Sequence, residues 1–374
     1  MSFVLNEEEQ MLRDSARSFL SETAPVSALR KLRDEGSPEG FSRDLWAAMG
    51  EMGWCGILVE EAFGGVDMGV SAAGFILQEM GKELTASPFL STSVLAATAL
   101  RVAGTEAQKS AWLPKIAEGK AVIGFAVDER ARHNPDAINT VATKDGNGLR
   151  LNGTKRFVAN GAGADVLIVV AKTEDGAPCL VMVDPKAAGV TATARRTLDS
   201  HVPADFTFKD VKLDGDALMN GAEDTGKAIA HVLDVGRACL AAESLGVAER
   251  AFDITIDYIK GREQFGVPIA SFQGLQHRAA HLLSEIEMAR SIVLKALRTL
   301  DETPSQAPIW AAAAKAKATA VSRLATSEGI QMHGGVGMTD EYDIGLYYKR
   351  AQAAGEFLGD DAWGAGQVAK LSGY

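Results

Sequence analysis

The chain is poor in the residues that metal centres and disulfide scaffolds need. It carries three cysteines and six histidines in 374 residues. Cys55, Cys179 and Cys239 lie far apart in mostly apolar surroundings and form no CxxC pair. Reduced, buried thiols in a cytosolic (cytoplasmic) protein are the plain reading. His277 and His281 are spaced i,i+4 in "QHRAAHLL", but no zincin-type acidic partner follows, so no metal site is expected. There is no Walker loop, and no GxGxxG set between a strand and a helix. Long apolar runs are missing too. "DVLIVVA" falls far below the roughly 20 residues that span a bilayer, so no membrane span is expected. The start, "MSFVLNEEEQ", has acid where a secretory leader has base, and no leader is expected. Positive charge is in deficit, 38 Lys and Arg against 49 Asp and Glu, a net charge of -11. That argues against a nucleic-acid surface and leaves room only for a local basic patch.

What is present is organised in three zones. Hydrophobic residues make up 47% of the chain, enough for large buried cores and two or three domains. Residues 1–120 read as helices. "NEEEQMLRDSARSFLSE" has helical apolar spacing and an acidic first turn, and "SRDLWAAMGEMG" has a Ser cap and stops at Gly53. Residues 121–222 change to short β-rich runs split by DGNG, NG and DG turns. Residues 223–374 return to helical pattern, and the four-alanine run in "IWAAAAKAKATAVSRLATSEGIQMHGG" is strong helix former.

The ordered set of segments resembles the acyl-CoA dehydrogenase family over essentially the whole length. The carrying stretches are "MGEMGWCGILVEEAFGGVDMG", "LQEMGKELTASPFLST", "LNGTKRFVANGAGADVLIVVA", "GREQFGVPIASFQGLQHRAA" and "EGIQMHGGVGMTDEYDIGLYYKRA". The resemblance implies an α+β fold: an N-terminal helical domain (1–120), a central β-barrel-like domain (121–222) and a C-terminal four-helix bundle (223–374). It implies FAD at a subunit interface, dimers or tetramers, an acyl-CoA substrate converted to the 2-enoyl-CoA, and an electron-transfer flavoprotein as acceptor. It also places Arg262 and Phe265 at the flavin pyrophosphate, Gln273 on the adenosine side, and Gln331, Gly334 and Gly335 at a loop facing the dinucleotide of the neighbouring subunit. Arginine suits that place because its fork meets phosphate oxygens two at a time.

Two departures stand against the family pattern. Where many members have "TEPxxGSD", this chain has "AVDERARHNPDA": Asp128 replaces the threonine that bonds the flavin, Glu129 is kept, and Asn134 or Pro135 takes the serine's place. The flavin-facing "WITN"-like tetrad is "FVAN", with Phe157 aromatic and Ala159 lacking a hydroxyl. The second departure is the base. The α-proton of a thioester needs a carboxylate opposite the flavin. The family's usual glutamate position holds Leu358, and the alternative position before Arg237 holds Gly236. Among the carboxylates nearby (Glu243, Asp343, Glu356, Asp360 and Asp361), Asp360 and Glu243 are the catalytic candidates. Arg130 and Arg132 are either exposed loop charges or attract CoA phosphates.

A subgroup with "YYRRA…FGD" endings looks similar, and parts of it act on bulky CoA thioesters such as steroid side chains within two-gene heteromers. The expectation is therefore a subunit of such a heteromer, paired with a homologous chain. The alternatives are a non-catalytic structural partner, and a flavin enzyme of another class such as an acyl-CoA oxidase or a nitroalkane oxidase.

Overall fold

The computed structural model describes residues 4–374. The N-terminal part is helical: α1 (Glu7–Thr23), α2 (Val26–Asp34), α3 (Arg43–Glu51), α4 (Gly69–Glu83), α5 (Ala97–Ala103) and α6 (Glu106–Ala117). Local chemistry sets the starts. Asn6 and Glu9 form a reciprocal capping box on α1, at 2.9 and 2.8 Å. Ser42 caps α3, as its sequence asks, a bond of the kind that contributes about 1 kcal/mol. Gly53 follows α3 at φ +77°, a left-handed conformation that glycine adopts freely. Residues Phe89–Ala96 form a fully buried π-helical stretch leading into α5.

The middle part is a mixed sheet of β1 (Ile123–Ala126), β2 (Val141–Asp145), β3 (Gly148–Val158), β4 (Val166–Lys172), β5 (Pro178–Val183), β6 (Val190–Ala194), β7 (Ala204–Leu213) and β8 (Leu218–Met219). The DGNG turn joins β2 to β3 as a two-residue hairpin, with Asp145 opposite Gly148 and Gly146 at φ +62°. The barrel-like closure expected from sequence does not occur. The order is β6-β7-β3-β2-β4-β5-β8, and the end strands β6 and β8 do not pair with each other. The same edge of β4 serves two strands in parallel, β1 along residues 166–169 and β2 at Lys172. The sheet branches there instead of wrapping round. β8 has only two residues, and β6 is mostly exposed, so neither offers a row of buried partners for closure. Inward residues of β7 (Ala204, Phe206, Phe208, Val211) alternate with outward ones and pack on Leu151, Leu167, Val169 and Val181.

The C-terminal part is a helix bundle: α7 (Thr225–Gly261), α8 (Gln273–Glu302), α9 (Ala307–His333), α10 (Ile344–Glu356) and α11 (Asp361–Leu371). A small hairpin of β9 (Glu263–Gln264) and β10 (Val267–Pro268) sits between α7 and α8. The described residues divide into two compact units. One comprises the chain up to Leu29, Val70–Thr85 and Arg237–Tyr374; the other comprises Arg30–Gly69 and Ala86–Gly236.

Within the first unit, α4 and α7 cross at glycines. A Cβ on Gly246 would lie 1.9 Å from the Gln78 carbonyl oxygen, and one on Gly81 would lie 2.1 Å from that of Glu243. The alanine run of α9 receives α11: a Cβ on Gly364 would meet the Ala312 carbonyl oxygen at 2.9 Å and the Ala316 side chain at 3.0 Å. Small residues here permit close helix approach, a packing role beyond their helix propensity.

Candidate active site

The end of α7, the β9–β10 hairpin and the end of α9 belong to one unit and form one surface feature. The chain leaves α7 with the Arg262 N–H bonded to the Tyr258 carbonyl, and Ile269 N–H closes the hairpin onto the Arg262 carbonyl. Phe265 at the tip has φ +56° and is 92% exposed, in edge contact with Phe272 at 6.1 Å. A phenyl ring so exposed forgoes about 2 kcal/mol of burial, which a ligand or a partner surface would recover.

At the end of α9, Gly334 has φ +64° and ψ -143°, a region essentially closed to other residues. A Cβ on Gly334 or Gly335 would meet nothing within 4 Å, so this backbone is open to a ligand. Beneath it, Tyr258 stacks on His333 at 4.2 Å, and Tyr342 meets both rings edge-on. Tyr258 also donates its hydroxyl to the His333 carbonyl, while the His333 ring bonds the Gly329 carbonyl through Nδ1. Burial pushes the His333 imidazole below its ordinary pKa, which favours the neutral ring. The side chains of Arg262, Gln273 and Gln331 make no hydrogen bond or ion pair with any described residue. A guanidinium, two amides and two glycines without side-chain cover are groups of the kind that could meet a dinucleotide's phosphates and adenosine.

The turn from α10 to α11 is built differently, with its backbone carbonyls held by buried cations. Leu358 is fully buried at φ +59°, and Gly359 follows at φ +105°. The Leu358 carbonyl accepts from Arg237 Nε at 3.1 Å, and the Arg237 guanidinium lies 4.2 Å over the Trp363 ring. Lys315 of α9, fully buried, donates to the carbonyls of Gly355 (3.0 Å) and Gly359 (2.9 Å) and to Thr319 Oγ1 (3.0 Å). Burial first, then the neighbouring Arg323 and Arg237, bring its pKa down to about 7. Arg323 bridges Glu356 at 2.6 Å and Asp361 at 2.9 Å, so these two carboxylates are ion-paired across the turn.

Asp360 caps α11, with Oδ1 accepting the Trp363 N–H at 2.7 Å. It is half-buried, and Oδ2 has no partner among the described residues. Glu243 lies in the middle of α7, nearly buried, with Oε1 accepting from Arg350 at 2.7 Å (Nε) and 2.6 Å (NH2). Asp360 and Arg237 thus belong to one turn cluster, whereas Glu243 pairs with α10 at Arg350.

In the other unit, the Asp128 and Glu129 carboxylates of the "DERARHNPDA" loop are engaged within the chain, while Arg130, Arg132 and Asp136 are exposed. Both Asp128 oxygens contact His133 Nδ1, at 3.0 and 2.9 Å, and Oδ1 also accepts the Asn134 N–H at 3.1 Å. Glu129 accepts from Lys155 at 2.8 Å and from the N–H groups of Asn139 and Thr140. Burial alone would raise the Glu129 pKa, but Lys155 and the Thr140 N–H outweigh it and hold it at about 2. Lys155 is fully buried and also donates to the Val127 carbonyl. Phe157 stands at a bulge between β3 and β7 with φ +52°, its ring half-exposed beside the Arg156 guanidinium. Asn160, at φ +53°, accepts from Ser91. Ala159 brings no side-chain donor, and the Asp128 carboxylate is turned to its own loop.

Lys315 and Lys155 were not apparent from sequence as organising residues. A faint signal exists for the first: Lys315 shares the helical spacing of Ala311, Ala312, Ala318, Thr319 and Ser322, all on the buried face of α9.

The described residues form a protein of helical, sheet and helical parts. Profiles of the acyl-CoA dehydrogenase N-terminal, middle and C-terminal domains match residues 6–120, 126–211 and 225–372. The chain belongs to the acyl-CoA dehydrogenase family, whose cofactor is FAD and whose reaction is dehydrogenation of an acyl-CoA thioester. It is 31% identical to acyl-CoA dehydrogenase IpdE2 of Mycobacterium tuberculosis, over 94% of this chain and 93% of that one. Among solved structures it resembles a variant of the Tcur3481-Tcur3483 steroid acyl-CoA dehydrogenase, with TM-score 0.89, 31% identity and 98% coverage of both chains. It also resembles the ChsE4-ChsE5 complex of M. tuberculosis, with TM-score 0.90, 26% identity and coverage of 100% and 98%. Against FAD the fit is divided. The Arg262, Gln273, Gln331, Gly334 and Gly335 set suits its phosphates and adenosine, while the 128–134 loop and the "FVAN" tetrad lack a side-chain hydroxyl donor for its ring.

No helix among the described residues is long and apolar enough to cross a membrane.

Proposed function

We propose that this chain is one subunit of a heteromeric, FAD-dependent dehydrogenase that converts a bulky acyl-CoA thioester, such as one with a steroid side chain, to the 2-enoyl-CoA. The observation that carries the reading is the contrast just described: Arg262, Gln273, Gln331, Gly334 and Gly335 stand open, while the Asp128 and Glu129 carboxylates are satisfied within the chain. This chain contributes phosphate and adenosine contacts, with Phe265 packing beside them, and a homologous chain contributes the contacts to the flavin ring. FAD held by these contacts would supply the acceptor for the β-hydrogen as hydride, with an electron-transfer flavoprotein as the onward electron acceptor. The likeness to the steroid enzyme and to a two-chain complex supports both the substrate class and the assembly. Three free, buried cysteines suit the reducing cytoplasm.

The α-proton goes to Asp360 in this proposal. Its Oδ2 has no partner among the described residues, whereas Glu243 is already engaged in an ion pair with Arg350. Glu243 is assigned the role of holding α10 against α7. Asp360→Asn is the informative variant, because asparagine caps a helix as well as aspartate and removes only the charge. In the assembled enzyme it is expected to retain flavin and lower kcat by about 100-fold or more. Glu243→Gln is expected to change kcat less than its thermal stability. Full activity in Asp360→Asn would assign the base to the partner chain.

A further inference from the structure

Lys315 is an ammonium group with no access to water and no carboxylate in contact, a costly arrangement unless its hydrogen bonds serve a purpose. When protonated, its three donors meet three acceptors, so the charged form is fully satisfied. Two of these acceptors are backbone carbonyls at either end of the turn. Gly355 lies in the last turn of α10, where carbonyls lack helical partners and a cation is favoured. Gly359 immediately precedes Asp360. Between them, Leu358 is held in a left-handed conformation that costs a non-glycine residue about 1 kcal/mol or more. Arg237 holds the Leu358 carbonyl from α7. The Leu358 side chain is buried, so the turn has little freedom to relax outward.

We propose that Lys315 is a positioning residue: it fixes the 355–360 turn so that the Asp360 carboxylate is presented at one place and angle for proton abstraction. This rests on the role assigned to Asp360 above. Asp360 is tied to α11 by its cap and to α9 through the Gly359 carbonyl. Loss of the ammonium frees the carbonyls of Gly355 and Gly359 together, and the turn then samples other conformations. A small displacement of a base is costly to rate even when binding is intact.

The test combines hydrogen exchange on the chain with kinetics on the assembled enzyme. In Lys315→Met, exchange of the amides at residues 357–361 is expected to speed up by about tenfold or more. In the assembly, kcat is expected to fall by about tenfold or more, with KM within about twofold and the flavin spectrum retained. Thr319→Val keeps side-chain shape and removes one acceptor, so it covers the case in which Lys315→Met does not fold. It is expected to show the same pattern at a smaller size, about two- to fivefold in kcat. Unchanged exchange at 357–361 in the folded variants overturns the clamp. Faster exchange with unchanged kcat overturns the positioning role and leaves the dehydrogenase reading standing. A wild-type assembly that binds FAD but dehydrogenates no acyl-CoA overturns that reading and with it the role of the turn in catalysis.

Discussion

Two segments of this protein face similar demands and answer them oppositely. The 128–140 loop carries three carboxylates, two arginines and a histidine, and its two less exposed carboxylates are engaged internally: Asp128 by His133 and Asn134, Glu129 by Lys155, Asn139 and Thr140. The region around the β9–β10 hairpin and the Gly334 turn leaves the side chains of Arg262, Gln273 and Gln331 without hydrogen-bond or ion-pair partners among the described residues, and leaves Phe265 largely exposed. Polar groups satisfied inside the chain secure its own fold. Polar groups left open, beside backbone that lacks side chains, are ready for something outside it. In the proposal above, the difference separates what this chain keeps for itself from what it presents to a cofactor.

The largest effect that would break this contrast is expected at Lys155. Lys155→Met leaves Glu129 buried without its cation, and should cost about 3–5 kcal/mol in urea unfolding. Arg262→Ala should be the opposite case. Its unfolding free energy is expected to stay within about 0.5 kcal/mol of wild type, while FAD affinity of the assembly falls about 10- to 100-fold. Flavin content after gel filtration and fluorescence titration would measure this. A destabilised Arg262→Ala with unchanged flavin binding would erase the contrast.

The smallest expected effect is a pH dependence. The folded-state pKa of Glu129, about 2, lies below its ordinary value of 4.5. Its stabilisation is therefore present above about pH 4.5 and is lost as pH falls toward 2. Wild-type melting temperature should drop more steeply over that window than that of Glu129→Gln. Parallel curves would show that the pair contributes nothing specific to acid sensitivity.

Much of the fold was legible because its signals are local. The acidic first turn of α1, the Ser42 cap, Gly53 at the end of α3 and the DGNG hairpin all lie within a few residues of the structure they specify. The helical, β, helical order was legible from composition and spacing. Barrel closure was not, because whether β6 meets β8 depends on how β4 shares its edge between β1 and β2, a matter of pairing across 40 residues. The glycines of the "QMHGG" segment could be singled out in sequence, but not the aromatic group of Tyr258, His333 and Tyr342 that supports them, whose members are distant in the chain. Asp360 and Glu243 are both candidates in sequence, with Asp360 slightly ahead. Their surroundings distinguish them, since Arg350 meets one and the start of α11 meets the other.

The sequence by itself determined the family, the succession of elements and the absence of a glutamate at Leu358 and at Gly236. These rest on residue identity and near-neighbour spacing, which any reading of the chain preserves. Only the tertiary structure decided that Leu358 sits in a left-handed turn held by Lys315 and Arg237, and that Asp128 is bound to His133. Those facts depend on hydrogen bonds, some joining residues more than 100 positions apart, and on the burial that makes each unpaired charge costly.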